Sequence, residues 1–220
     1  MFHNYYYMIS ISGIEYQKEL ESLPYFNKSQ AGILIGKEGK NLDKKLDQLR
    51  KIGYLKTFKK NLYVSDAFYQ QTDKGRYVEY IANTLRFPSY ISLEYILTKE
   101  SLIPEGVFSL TSITVKSSRM FRNFLGTFVY QSIKEELFTG YKEETWEGKT
   151  IRSATRAKAF FDFLYLKKLS NLEEELTIDL RVNWENFSSA DFLEFKAYVD
   201  ISKSKKMMRI ADVIQKKYVS

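Results

Sequence analysis

The period of the apolar residues changes twice along this chain, and that change constrains the fold more than any single motif. Up to about Lys99 hydrophobic residues recur at helical spacings, interrupted by one short basic hairpin pattern. From Val107 to Ala154 the period drops to two, with β-branched and aromatic residues enriched at Val107–Lys116, Thr127–Ile133 and Thr150–Ala154. Beyond Ala157 the helical spacing returns. Blocks of helix and strand kept apart in this way define an α+β protein.

The first block reads as a compact unit. A short helix over Gln17–Leu23 stops at Pro24, a second runs from Ser29 to Ile35, and Gly36 and Gly39 flank a tight turn. A third helix follows, on which Leu42, Leu46, Leu49 and Ile52 form one apolar stripe while Asn41, Lys44, Lys45, Gln48 and Lys51 lie off it. Gly53 is placed to cap it. Tyr54–Thr57 and Leu62–Val64 then read as strands joined by Phe58, Lys59, Lys60 and Asn61, a hairpin with a basic tip. Three short helices and a basic hairpin is the order of a winged helix-turn-helix.

The later elements are read the same way. Lys74–Leu85 is predicted as a linking helix, and Ser92–Lys99 as another with Ser92 as its N-cap. Ala157–Lys167, Asn171–Leu180, Ser189–Val199 and Lys205–Lys217 complete the helical tail. The expected organisation is a winged-helix DNA-binding domain over residues 1–78 and a domain of mixed antiparallel sheet and helix over 79–220.

The charge is concentrated in the first domain. The chain carries a net +7, and the window Lys37–Lys60 alone holds nine basic against three acidic side chains, a net of +6. Such a patch on a helix and hairpin is an electrostatic footprint for a polyanion. Lys37, Lys40, Lys44, Lys45, Lys56, Lys59 and Lys60 are candidate phosphate contacts, and Asn61 shares the hairpin tip. The amides of Asn41 and Gln48 suit bidentate contact with adenine. A merely solvated helix face is the competing reading, and the helix order, the Gly53 stop and the hairpin together favour nucleic acid. Lys205, Lys206 and Arg209 on the last helix form a candidate second nucleic-acid surface.

Catalytic chemistry finds little support. With no Cys and a single His, His3, there is no thiolate metal site, no cysteine nucleophile and no histidine triad held in a packed scaffold. Gly32-Ile-Leu-Ile-Gly36-Lys37-Glu38 misses the phosphate-loop spacing and puts Glu38 where a magnesium-binding hydroxyl belongs. The acidic runs Glu135-Glu136, Glu143-Glu144 and Glu173–Glu175 place neighbouring carboxylates on diverging faces. Asp162, inside an apolar helix, is four residues from Lys158 and reads as its structural partner. Tyr5, Tyr6 and Tyr7 suit aromatic packing or base stacking. The expectation is a non-enzymatic binding protein without metal or cofactor. No apolar run approaches the roughly 18 residues that span a bilayer, and the N-terminus lacks a signal peptide, so a cytoplasmic chain without membrane contact is expected.

Most of the chain resembles one family. IANTLRFPSYISLEYILT at 81–98, SITVK at 112–116, GTFVYQSIK at 126–134, LFTGY at 137–141 and SATRAKAFFDFLYL at 153–166 are similar, in order and spacing, to the AbiEi antitoxins of type IV toxin-antitoxin systems. LDQLRKIGYLKTFKKNLYV at 46–64 resembles the winged-helix module of that family. The chain departs from it at Arg156-Ala157-Lys158-Ala159, where members often carry Pro-Glu-Lys-Ala, and at Lys60-Asn61, where their wing tip is often Arg-Gly. The resemblance implies a bacterial phage-defence (abortive infection) protein. Its N-terminal domain would repress its own operon by binding double-stranded operator DNA, and its C-terminal domain would counteract a nucleotidyltransferase-like toxin, with or without touching it. A protein that neutralises a toxin by direct binding, and a plain winged-helix regulator, are the alternatives.

Overall fold

The computed structural model describes residues 11–104, 106, 109–168, 174–176 and 180–218. His3, the tyrosines at 5–7, Val107 and most of the helix expected over Asn171–Leu180 lie outside the described residues. The chain is a mixed α+β protein of two compact units. One holds the described residues up to Tyr77 together with Arg122–Leu125; the other holds Val78–Phe121 and the described residues from Gly126 onward.

The first unit runs α1 (Ile11–Ser22), β1 (Phe26–Asn27), α2 (Lys28–Ile35), α3 (Gly39–Lys51), β2 (Leu55–Lys59), β3 (Leu62–Ser65) and α4 (Asp66–Gln71). Its sheet has the order β1-β3-β2 and both pairings are antiparallel. Leu20, Phe26, Ala31, Leu42, Leu46, Leu49, Leu55 and Tyr63 make its core. Local chemistry starts and stops each helix. Asn27 and Gln30 form a reciprocal capping box at the start of α2, each side chain accepting from the other's backbone N–H at 2.9 Å. Gly36, at φ +68°, ends that helix in a left-handed turn. Gly32 lies inside α2, where a Cβ would stand 3.0 Å from the Lys37 carbonyl and 3.1 Å from Leu42, so a hydrogen there lets α2 and α3 approach.

β1 and α4 were not expected. Two residues carry no readable period, and β1 exists because β3 offers it a partner at Tyr63 and Leu62. α4 is started by Ser65, whose hydroxyl accepts from Phe68 N–H.

The helix α5 (Lys74–Leu85) contains the division between units. The second unit continues with β4 (Ser89–Ile91), α6 (Glu94–Lys99), β5 (Ser109–Thr114), β6 (Arg119–Asn123), β7 (Gly126–Ser132), β8 (Tyr141–Trp146), β9 (Lys149–Ala154), α7 (Arg156–Leu166), α8 (Ser189–Ser202) and α9 (Lys205–Tyr218). The sheet order is β6-β7-β5-β4-β9-β8. It is mixed: β4–β5 and β8–β9 are antiparallel, whereas β4–β9 and β5–β7 are parallel. The brief β4 thus joins a parallel and an antiparallel neighbour at the centre, a place that three residues of sequence could not announce.

Register shows which helix covers which face. Tyr90 and Ile113 are paired on one face, and Tyr90 donates to Asp162 of α7 at 3.0 Å. Ser112 and Tyr130 are paired on the other, and Tyr130 donates to the Ala82 carbonyl of α5 at 2.5 Å. The sheet is therefore sandwiched between α5 and α7.

Two local expectations are corrected. α6 begins at Glu94, with Leu93 at φ +61° preceding it, because Ser92 turns its hydroxyl to Asp162 at 2.8 Å and does not cap the helix. Ile52 is 66% exposed and leaves the apolar stripe. α3 closes before it through Gly53 N–H to Arg50 O and Tyr54 N–H to Leu49 O, the Schellman pair, and Tyr54 packs on the core in its place.

Candidate nucleic-acid interface

Leu42, Leu46 and Leu49, none more than 4% exposed, fasten α3 to its unit. Their spacing turns Lys40, Lys44 and Lys51 to within about 40° of one another on the opposite side. All three are exposed, as are Asn41 and Gln48 beside them. The acidic residues of α3 are occupied. Asp43 pairs with Lys28 at 2.5 Å, and Asp47 with Arg50 at 3.0 Å. Asp43 lies on the flank, whereas Asp47 stands at the edge of the lysine row, about 20° from Lys40, with its charge met by Arg50. The outward face therefore presents three cations, two amides and one paired carboxylate.

The ends of α3 extend this surface. Lys37 is exposed in the turn before it, above an open groove of about 570 Å³ that Lys28, Gly36 and Gly39 also line. Ile33, 80% exposed, stands at the same groove. At the other end Arg50 and Lys51 line an open groove of about 470 Å³ with Leu55 and Thr57 of β2, and Phe124 forms part of its wall. Lys51 therefore joins the expected site residues; its position seven residues after Lys44 was the available signal.

The hairpin tip is shorter than the sequence implied. β2 extends to Lys59, a register shift lies between Thr57 and Lys59, and Lys60-Asn61 alone make the turn. Asn61 takes φ +61°, the left-handed conformation that asparagine tolerates. Phe58 is not at the tip: it is 2% exposed and its ring lies 6.2 Å from Tyr77 and 5.3 Å from Phe124. Lys60 is exposed, whereas Lys59 is half-buried.

Two further lysines are turned inward. Lys56 is half-buried, paired with Asp66 at 3.0 Å, and its ammonium lies 5.7 Å from the Tyr69 ring and 5.5 Å from Phe124. Lys45 leans over Tyr16, 6.0 Å from the ring centre, on the flank of α3 away from the other lysines. The structure thus brings together Lys37, Lys40, Asn41, Lys44, Gln48, Lys51, Lys60 and Asn61, and sets Lys45, Lys56 and Lys59 apart.

The candidate surface on α9 is smaller than expected. Lys205 and Arg209 are exposed. Lys206 is not available to a ligand, because its ammonium donates to the carbonyls of Leu164 and Tyr165 at 2.7 Å and of Lys167 at 3.0 Å. Those are the acceptors left open at the end of α7, and a lysine suits the negative end of a helix. Burial lowers its pKa.

Within α7, Lys158 and Asp162 form the expected pair, and both are fully buried. Asp162 also accepts from Tyr90 and Ser92, while Lys158 lies 5.1–5.5 Å from the rings of Phe161, Tyr198 and Tyr90. Burial pushes the Asp162 carboxyl up and the Lys158 ammonium down, and their mutual attraction opposes both shifts. Both side chains of the pair are 0% exposed, and each has its partners inside the protein.

No helix among the described residues is long and apolar enough to cross a membrane. No group of three or more metal-ligating side chains is found among them. Compared with protein-family models and with curated proteins, the chain matches none.

Proposed function

We propose that the first unit is a winged helix-turn-helix in which α3 enters the major groove of operator DNA and the β2–β3 hairpin lies along the neighbouring backbone. The observation that carries this reading is the outward face of α3. Lys40, Lys44 and Lys51 are exposed in one row beside Asn41 and Gln48; Asp43 is paired with Lys28 on the flank, and Asp47, at the edge of the row, is paired with Arg50. Lys37, Lys40, Lys44, Lys51 and Lys60 would bond phosphates, and Asn41 and Gln48 would meet base edges.

Neutralising about five phosphates makes log affinity fall with log salt at a slope of roughly −4 to −5. Fluorescence anisotropy with a duplex from upstream of the chain's own gene, read across a salt series, tests this. A slope near zero would refute it.

The resemblance of residues 81–166 to AbiEi antitoxins supports a second part of the proposal: the chain is a cytoplasmic antitoxin that represses its own operon and counteracts a nucleotidyltransferase-like toxin. The full chain carrying Lys40→Glu and Lys44→Glu, co-expressed with the product of the neighbouring gene, separates the two activities. Growth should be protected although the upstream DNA is no longer retained. Loss of protection in step with DNA binding would leave only a transcriptional regulator.

A further inference from the structure

α8 carries an apolar seam on its solvent side. Phe192, Phe195, Tyr198 and Val199 face the core of the second unit. On the opposite side Leu193 is 69% exposed, Ile201 is 43% exposed, and Ala197 lies exposed midway between them. Exposed apolar residues scattered singly need no explanation. These three stand in line, one every four residues, on a regular helix.

The arrangement is also symmetric about its centre. Leu193 and Ile201 are each four residues from Ala197, about 6 Å along the axis. The small Ala197 marks the point where another backbone can come close. Lys196 and Asp200 lie together on one flank of the seam, both exposed, and among the described residues neither side chain has an ion-pair partner.

We propose that this face binds a second copy of the chain, α8 against α8, antiparallel about a two-fold axis at Ala197. That axis sets Leu193 against Ile201 of the second copy and repeats the contact at the other end. A two-fold perpendicular to both helices keeps each flank on its own side. Lys196 then stands about 1.5 Å from the centre and Asp200 of the second copy about 4.5 Å from it, on the same side and along the same flank. Each protomer therefore offers a cation to the other's carboxylate, the self-complementarity that an isologous contact requires. In a parallel pairing the two-fold would run along the helices and set the two Lys196–Asp200 flanks on opposite sides, so that Lys196 and Asp200 of the two copies would not meet. One helical seam covers less than the roughly 800 Å² per partner of a stable interface, so the association is weak and depends on concentration.

Sedimentation of the full chain, without DNA, across a concentration series tests the proposal. The unmodified chain should shift from monomer toward dimer, and Ala197→Arg should hold it monomeric at the same concentrations with an unchanged melting temperature. Lys196→Glu and Asp200→Lys should each weaken self-association several-fold. Mixed in equal amounts they should associate again, because each then meets its opposite charge across both contacts. Three results would overturn it: a monomer at every concentration up to about 1 mM, association that Ala197→Arg leaves unchanged, or mixed variants that associate no better than either alone. The second would place the contact on another face or with a different partner. None of these readouts depends on DNA binding.

Discussion

α3 and α9 are close relatives as sequences and different objects as structures. Each has an apolar stripe, Leu42-Leu46-Leu49 in one and Met207-Ile210-Ile214 in the other, and each carries lysines off that stripe. On α3 three lysines remain exposed in one row because nearby cations answer the helix's carboxylates. On α9 the end of α7 lies close enough for Lys206 to supply its missing donors. A helix's charge pattern says where cations are; the backbone groups packed against it decide whether they are still free to bind a ligand. Lys158 in α7 is the limit of the same series, a lysine held wholly inside by one carboxylate and three aromatic rings.

That limit gives the largest expected effect. Asp162→Ala would leave the Lys158 ammonium buried without its counter-charge, at a cost of about 3–5 kcal/mol in urea unfolding. The double variant Lys158→Met, Asp162→Leu should recover most of this, because apolar groups of similar volume need no partner there. If the single substitution costs less than about 1 kcal/mol, on the scale of an ordinary net hydrogen bond, the pair is not a closed internal contact.

Lys206→Ala comes next. Three carbonyls at the end of α7 lose their donor, and a loss of about 1–3 kcal/mol is expected. Faster amide exchange in the last turn of α7 should accompany it. Lys205→Ala and Arg209→Ala, at exposed positions of the same helix, should stay within about 0.5 kcal/mol of the unmodified chain. Equal effects from Lys205 and Lys206 would break the distinction between surface and capping lysines.

What was legible in the sequence follows from the range of the forces involved. Helices with a capping residue and a strong period could be read closely. α5 was expected over its observed span, Gly53 closes α3, and Ser188 and Asp191 form the capping box that opens α8. The hydrogen bonds of a strand lie in other segments. β1 and β4, of two and three residues, and β8, whose adjacent Glu143 and Glu144 carry no apolar alternation, were invisible until their partners were in place. The candidate site divides in the same way. The row of α3 is set by helical spacing and could be found from it. The inward turns of Lys45, Lys56 and Lys206 depend on Tyr16, Asp66 and the carbonyls of α7, which lie 29, 10 and 39–42 residues away in the chain.

The smallest effects on stability belong to α3, and they discriminate best. Lys44→Ala and Lys51→Ala remove exposed ammonium groups and should leave the unfolding midpoint within about 0.5 kcal/mol of its original value. On the proposed reading each reduces the magnitude of the salt slope of DNA binding by roughly 0.9 and weakens all sequences alike. Gln48→Ala should behave differently. Its amide carries no charge, so the slope stays the same, but discrimination at one base pair should fall by about 1–3 kcal/mol. Lys45→Ala is the control, because its ammonium lies over Tyr16 and outside the row. A slope that changes as much for Lys45 as for Lys44 would mean that net charge alone governs binding. In that case the outward face of α3 would have no special claim to the DNA.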